Sequence, residues 1–158
     1  MFTRFTPDQL ARRKASVWTP VVMWLAGIQF LAYIIGFYLV IRYLAVGEGY
    51  LAASISVWIK IILMWAITVT GMLCEKDIFD TYFMAGEFFW EDVGNLVAMI
   101  THNAYFVVLW IGFEPRSIMF VMLFAYVTYL LNLCQWLIVG VKSYRQRNTA
   151  QAATPDCS

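Results

Sequence analysis

Four long apolar runs, separated by short polar segments, dominate the pattern of hydrophobic and polar positions along the chain. A helix needs about 20 mostly apolar residues to cross about 30 Å of hydrocarbon. Each run is long enough, so each is predicted to form a membrane-spanning helix. The predicted spans are residues 21–46, 51–74, 93–113 and 117–141.

Polar segments precede, join and follow these spans. Residues 1–20 are basic and amphipathic, which predicts a short helix lying at the membrane interface. Residues 75–92 form an acidic connector, and residues 142–158 form a polar tail in which we expect disorder. The turns at residues 47–49 and 114–116 are short, so consecutive helices must be antiparallel. The prediction is an all-α integral membrane protein, a four-transmembrane-helix antiparallel bundle with a short N-terminal interfacial helix.

The composition agrees with one membrane domain. The 158 residues are 62% hydrophobic and only 13% charged, against about 25% charged in ordinary soluble domains. The net charge of +1 gives no reason to expect a nucleic-acid partner. The spacing of Cys74, Cys134 and Cys157 matches no zinc or disulfide framework. His102 is the single histidine of the sequence, which excludes a metal site built from several histidines of one chain.

The distribution of basic residues predicts the orientation. Four of the eleven Lys and Arg residues precede the first span and three follow the fourth. Because Lys and Arg are retained on the cytoplasmic side, both ends are predicted to be cytoplasmic. With four spans, residues 75–92 then face the cytoplasm as well, and the two short turns face the other side.

The connector of residues 75–92 is the most unusual segment. One interpretation is a solvated acidic loop, since acidic residues hardly affect topology. However, the aromatic run Phe88-Phe89-Trp90 lies among the acids, which indicates an amphipathic segment packed at the interface. The acids are Glu75, Asp77, Asp80, Glu87, Glu91 and Asp92, and the base is Lys76.

Helical spacing places part of this acidic segment on one face of the third span. If that helix begins near Gly86, then Glu87, Glu91, Asn95 and His102 fall within a stripe of about 80°. A polar stripe on an apolar span is expected to face the interior of the bundle rather than lipid. The stripe is therefore predicted to line a cavity that opens toward the cytoplasm.

Polar residues of the other spans are candidates for the remaining walls. The amides Gln29, Asn132 and Gln135 would either line the cavity or serve as interhelical hydrogen-bonding groups. Lys60 lies near mid-membrane, where an unpaired charge costs at least about 2.5–3.5 kcal/mol, so it needs a partner or must reach the interface. Glu75 follows Lys60 on one helical stripe.

His102 and the aromatic residues also leave alternatives open. His102 would coordinate a pigment metal, transfer a proton, or donate a structural hydrogen bond. Tryptophans within the spans would form flat walls for a planar ligand, or simply pack. Aromatic residues make up 18% of the chain, so interfacial belts account for many of them.

The order of residues resembles that of the 2-vinyl bacteriochlorophyllide hydratases, in which the vinyl position is numbered 3 in newer nomenclature. The resemblance is carried by Val69-Thr70-Gly71, Glu75-Lys76, the run Phe88-Phe89-Trp90-Glu91-Asp92-Val93, and His102-x-Ala104-Tyr105. It extends over about residues 6–145. As a set these motifs are specific, whereas each alone is weak.

The resemblance implies a carbon–oxygen lyase that adds water to the C3 vinyl group of a chlorophyllide or bacteriochlorophyllide. It implies a bacterial inner membrane protein of bacteriochlorophyll synthesis, with a magnesium-containing pigment as substrate and no required cofactor. Membrane lipid is an expected partner, whereas a homo-oligomer and contact with other pigment-synthesis enzymes stay open. The rival interpretation is a non-catalytic accessory protein that binds pigment or quinone.

The reaction then suggests roles for the candidate residues. Protonation of the vinyl group needs a carboxylic acid that is still protonated near neutral pH, and burial or a neighbouring like charge provides one. We expect Glu91 or Glu87 to protonate the vinyl group and Asp92 or Glu75 to orient the water. His102 would ligate the pigment magnesium or a macrocycle carbonyl, and the protein has no metal site of its own. The expected substrate-binding residues are His102, Asn95, Phe88, Trp90, Lys60, Asn132 and Gln135.

Overall fold

In a computed structural model, the described part of the chain, residues 5–86 and 88–152, is helical with no strand. Four of its helices are long and apolar enough to cross a membrane. This confirms the predicted all-α fold with four spans. The helices are α1 (Pro7–Ala15), α2 (Trp18–Val46), α3 (Tyr50–Phe79), α4 (Phe89–Ile111) and α5 (Pro115–Ala152).

The four long helices form a closed ring. α2 packs along α3 and α4 packs along α5, while contacts between α2 and α5 and sparser contacts between α3 and α4 complete the ring. Gly47 and Gly49 have φ angles of 81° and 87° in the turn between α2 and α3. Glycine adopts such left-handed conformations without steric cost, which permits the sharp reversal. We call this end, with residues 47–49 and 112–114, the turn end, and the opposite end, with residues 80–88, the connector end.

The observed helix boundaries differ from the expected ones at the connector end. α3 continues to Phe79, so Glu75 lies on a helix rather than in a loop. Asp80 ends this helix in a left-handed conformation, with its N–H bonded to the carbonyl oxygen of Lys76. α4 begins at Phe89 rather than near Gly86. A helix of 30 residues is about 45 Å long, so its length is not limited by the hydrocarbon thickness.

The expectation of disorder after residue 141 also differs from the structure. α5 continues through Ala152, and residues 153–158 lie outside the described part. Extending a helix needs no new nucleus, and Ala, Arg and Gln are favourable helix formers. The polar segment therefore prolongs α5 rather than leaving it.

The short helix α1 is fixed against the end of α3 by side-chain contacts. Arg12 Nη1 lies 2.7 Å from Asp80 Oδ2, and Ser16 Oγ donates to Asp77 Oδ2 at 2.6 Å. Because α1 folds back onto α3, it adds a fifth element to the connector end.

The tightly packed core lies in the half of the bundle near the turn end. Buried residues there include Val40 of α2, Val57 of α3, Tyr105 of α4 and Met122 of α5. Outward-facing side chains are largely apolar and exposed, as expected of a protein that uses lipid as its solvent. The core is therefore concentrated toward the turn end, and the cavity of the protein lies toward the connector end.

Candidate active site

A cavity of about 330 Å³ lies between the long helices at the connector end. This volume is typical of a small-molecule site. All four long helices, the connector and the α1 segment contribute to its wall. Its polar lining includes Gln29, Thr68, Glu75, Asp92, Asn95 and Asn132.

Two buried carboxyl groups, those of Glu75 and Asp92, meet at the cavity wall. Their residues are only 9% and 6% exposed, and the two groups interact electrostatically. Asp92 Oδ2 accepts the N–H of Met84 at 2.9 Å, and Glu75 Oε2 accepts the N–H of Ala85 at 3.3 Å. Consecutive peptide groups of the connector therefore hold one carboxyl group from α3 beside one from α4.

The backbone at Met84 makes this double contact. Met84 has a φ angle of 57°, a left-handed conformation that is uncommon for residues other than glycine. Such conformations cost about 1–3 kcal/mol and cluster at functional sites. With the backbone in this conformation, the N–H groups of Met84 and Ala85 are directed at the carboxyl groups of Asp92 and Glu75.

Within the described part of the chain, neither Glu75 nor Asp92 forms an ion pair with Lys or Arg. Two carboxylates in one site repel each other when both are ionised, so such pairs favour a state with one shared proton. The arrangement suits chemistry in which a proton is given to one atom and taken from another.

Amide side chains line the deeper part of the cavity. Asn95 Nδ2 donates to Thr68 Oγ1 at 3.2 Å. Among the described residues, Asn132 Oδ1 and both polar atoms of Gln29 are buried without a hydrogen-bond partner. A buried polar group left unpaired costs about 1–3 kcal/mol, so these amides are suited to a polar ligand.

Aromatic rings also line the cavity near the connector end. Phe88 and Trp136 both line it, with ring centroids 5.6 Å apart. Phe88 also packs edge-on against Phe79, at 5.6 Å. These rings provide an apolar aromatic surface in the cavity that contains the carboxyl pair.

Five of the residues predicted from the sequence come together at this cavity. They comprise two acids, two amides and one aromatic residue. Their side chains belong to α3, α4, α5 and the connector. They are Glu75, Asp92, Asn95, Asn132 and Phe88.

Other predicted residues of the connector end lie elsewhere. Glu91 is buried at 5% exposure but does not line the cavity, and Trp90 is 71% exposed. Gln135 lies beside Gly94, where α4 and α5 approach closely, and is not part of the lining. Glu87 lies outside the described residues.

Lys60 and His102 lie deeper in the bundle, next to a residue of the cavity wall. Lys60 Nζ is 3.2 Å from the ring centroid of Tyr129, which lines the cavity. His102 Nδ1 donates to the carbonyl oxygen of Ala98 at 2.7 Å, and its ring packs edge-on against Tyr126 and Tyr129. Neither Lys60 nor His102 belongs to the lining.

Several residues of the lining, Gln29 and Arg13 among them, were not predicted as site residues. The sequence leaves Gln29 open as either a cavity-lining residue or an interhelical hydrogen-bonding group. Its isolated polarity within an apolar span is the feature that makes it a candidate. In the sequence, Arg13 is only one of the basic residues that predict the orientation of the protein in the membrane. No spacing rule could identify Arg13, because its position depends on how α1 folds back onto α3.

The chain is similar to a known protein family and to known proteins over most of its length. A family model described as 2-vinyl bacteriochlorophyllide hydratase matches residues 5–142. A 2-vinyl bacteriochlorophyllide hydratase of Rhodobacter capsulatus is 44% identical over 133 residues, which cover 84% of this chain and 78% of the relative. That of Cereibacter sphaeroides is 45% identical over 134 residues, with coverage of 84% and 83%. No solved structure matches the chain.

Proposed function

Because this chain belongs to the 2-vinyl bacteriochlorophyllide hydratase family and is a hydratase of bacteriochlorophyll biosynthesis, we propose that its reaction takes place at the Glu75–Asp92 pair. In this proposal the enzyme is a carbon–oxygen lyase that adds water to the C3 vinyl group of a chlorophyllide-type pigment. The product carries a 1-hydroxyethyl group. The main support is the buried carboxyl pair on the wall of a cavity that aromatic side chains also line.

The local environment suggests different roles for the two carboxyl groups. Asp92 lies in the first turn of α4, where the helix dipole favours a negative charge, and its bond from a peptide N–H is the shorter one. Glu75 lies near the end of α3, where the dipole disfavours a negative charge. In the resting pair, Glu75 carries the shared proton and Asp92 is the carboxylate.

Hydration then proceeds in two proton transfers. Glu75 protonates the terminal CH₂ of the vinyl group, and the cation at the carbon attached to the ring is stabilised by the conjugated macrocycle. Water attacks that carbon while Asp92 accepts one of its protons. The pair ends the cycle with one proton, as it began, and the pigment has gained one water. Each such transfer is typically worth about 10²–10⁴-fold in rate.

The remaining lining residues bind and orient the pigment. Phe88 and Trp136 contact the macrocycle plane, and the amides of Gln29 and Asn132 hydrogen-bond to its polar substituents. Asn95, held by Thr68, is directed to the same cavity. Hydration transfers no electrons, so the reaction as proposed requires no redox cofactor.

We also propose how the protein is oriented in the bacterial inner membrane. The basic residues before α2 and after the fourth span favour a cytoplasmic location for both ends. The connector end, and with it the mouth of the cavity, then faces the cytoplasm. Glu75 and Asp92 are accessible to water from that side.

The test is anaerobic incubation of membranes containing the protein with a 3-vinyl chlorophyllide, followed by mass spectrometry of the extracted pigment. A gain of one water is expected, absent with membranes that lack the protein. In deuterium oxide, the product methyl group should carry one carbon-bound deuterium, because the terminal CH₂ receives its proton from an exchangeable carboxyl group. Unaltered pigment recovered with folded protein would contradict the proposal and favour a non-catalytic pigment-binding protein.

A further inference from the structure

Arg13 lies on the wall of the cavity that contains the carboxyl pair. It also lines an adjoining surface pocket together with Lys14 of the same helix. α1 precedes the first span and packs against the end of α3, so Arg13 belongs to the connector end. The cavity lining therefore contains both carboxyl groups and a cationic side chain.

The charge of Arg13 is not neutralised by a carboxylate of the described residues. Its neighbour Arg12 pairs with Asp8 at 3.0 Å and with Asp80 at 2.7 Å. Arg13 has no such ion pair in that part of the chain; its guanidinium lies 5.2 Å from the ring centroid of Phe5. Stacking on a ring face leaves the in-plane N–H groups of a guanidinium able to bind a carboxylate bidentately.

The backbone at Arg13 is held in place before any ligand binds. Thr19 Oγ1 donates to the carbonyl oxygen of Arg13 at 2.8 Å, and Thr19 is itself a lining residue. The contacts of Arg12 with Asp80 and of Ser16 with Asp77 fix the rest of α1. A cation on a fixed element gives more affinity than one on a mobile arm, because less conformational entropy is lost on binding.

The substrate class carries a matching anion. A chlorophyllide has a free propionate side chain, whereas the corresponding chlorophyll is esterified at that carboxyl group and has no charge there. The Glu75–Asp92 pair repels an anion, so a propionate is favoured only where a cation faces it. Arg13 is the cation that the lining provides.

We propose that Arg13 binds the propionate carboxylate of the pigment and makes the enzyme selective for free acids over esters. This inference rests on the proposed function. The ion pair holds the acidic edge of the macrocycle at Arg13 and thereby helps direct the vinyl edge toward Glu75. Arg13 is thus a substrate-binding residue that determines specificity and takes no part in proton transfer.

The experiment compares hydration of a 3-vinyl chlorophyllide with that of its methyl ester, using the full-length protein in membranes. The wild-type protein should have the lower KM for the free acid. Arg13→Gln should raise the KM for the free acid about three- to tenfold, as expected for one partly exposed charged pair, and leave the KM for the ester unchanged. The selectivity for the acid should therefore disappear in the variant.

Lys14→Gln is the matched control. It removes a neighbouring positive charge of α1 that does not line the cavity and leaves the contact of Arg12 with Asp80 intact, so the preference for the acid should persist. An equal rise in KM for both pigments in Arg13→Gln would overturn the proposal, as would a wild-type protein that does not distinguish them. If the wild-type protein hydrates neither pigment, the proposed function fails. Binding of acid and ester to the same variants, followed by pigment absorption, then decides the role of Arg13 separately.

Discussion

At the scale of single residues, the pairing of Glu75 with Asp92 has the greatest chemical consequence. One side chain comes from the last turns of α3 and the other from the first turn of α4. The N–H groups of Met84 and Ala85 hold the two carboxyl groups in place. Each carboxyl group alone would be ordinary, whereas the pair can give and accept a proton in one cycle.

The proposed acid can be tested by an isosteric substitution. Glu75→Gln retains the shape of the side chain and removes its acidic proton, so kcat is expected to fall about 10²–10⁴-fold. The KM should change far less, because the cavity wall keeps its shape. The measurement is steady-state hydration of a 3-vinyl chlorophyllide, with the amount of folded protein determined in parallel.

Glu91→Gln is the comparison for that experiment. Glu91 is also buried and close in sequence to Asp92, yet it does not line the cavity. Its substitution should reduce kcat much less than that of Glu75. A loss of kcat in Glu91→Gln as large as in Glu75→Gln would return the acid role to Glu91, as the motif alone suggested.

At the scale of helices, close approach between α2 and α5 depends on a single glycine. A Cβ atom on Gly36 would lie 3.1 Å from Tyr126 Cζ and closer still to its hydroxyl oxygen. Tyr126 is fully buried in the core near the turn end and has little space to move. A side chain at residue 36 would therefore force Tyr126 or the helices to shift.

Gly36→Ala is expected to destabilise the protein by about 1–3 kcal/mol through overpacking of this contact. Gly27 is the control on the same helix, because nothing lies within 4 Å of a Cβ atom placed there. Gly27→Ala should instead be neutral or stabilising by up to about 1 kcal/mol, as alanine favours the helix. Thermal unfolding of the purified proteins in one detergent gives both values, and equal stability of the two variants would contradict the packing.

The docking of α1 on α3 is also a property of these elements. The hydrogen bond from Arg12 lowers the pKa of Asp80, so the carboxylate persists as the pH falls below the usual range of this group. The stabilisation from this contact is present above the pKa of the unfolded chain and is lost as the pH falls through the lower, folded value. At neutral pH the contact is fully formed.

Asp80→Asn should therefore loosen the docking of α1 at neutral pH, although the contact of Ser16 with Asp77 remains. More frequent opening would expose the backbone after Arg12 and Arg13, and trypsin should cut there several-fold faster than in the wild-type protein. Asp8→Asn is the control, since it removes only the pair within α1 and leaves the contact with Asp80. If cleavage is equally fast in the two variants, the contact with Asp80 does not hold α1 in place.

At the scale of the whole molecule, packing is divided between the two ends. The core residues of all four long helices concentrate toward the turn end, whereas the cavity lies at the connector end. A ring of helices packed firmly at one end can remain open at the other without losing its fold. The side of the membrane on which the connector end lies then determines from which compartment water reaches the carboxyl pair.

The proposed orientation predicts the behaviour of topology reporters. Alkaline phosphatase, active only after export, should be inactive when fused to the C-terminus and active when inserted at residues 47–49. A fluorescent protein that folds in the cytoplasm should give the opposite pattern. Phosphatase activity at the C-terminal fusion would place the connector end on the exported side and contradict the orientation.

The fold class and the unusual acidic segment can both be identified from the sequence alone. Four apolar runs can cross a membrane only as helices, because every backbone polar group must be hydrogen-bonded inside lipid. The acids between the second and third runs were likewise visible as an exception in an apolar chain. Neither conclusion required knowledge of which side chains touch.

Which acidic side chains lie side by side depends on the tertiary structure. A stripe drawn from a start near Gly86 grouped Glu87 with Glu91, but α4 begins at Phe89 and Asp92 turns toward the cavity. Successive residues of a helix point in directions about 100° apart, so one of two adjacent residues can line the cavity while the other is buried against a different neighbour. Which acid lines the cavity depends on how the connector turns at Met84. The hydrophobic periodicity of the sequence contains no information about that turn.

Tertiary packing also decided the positions of Lys60, His102 and Arg13. Helical spacing indicates the face of a side chain but not which neighbouring ring separates it from a cavity. Lys60 contacts the ring of Tyr129, which lines the cavity, and does not line it itself. The return of α1 onto α3 brings Arg13 to the wall. Both outcomes depend on contacts between elements distant in sequence, so local patterns determine the helices and long-range contacts determine the site.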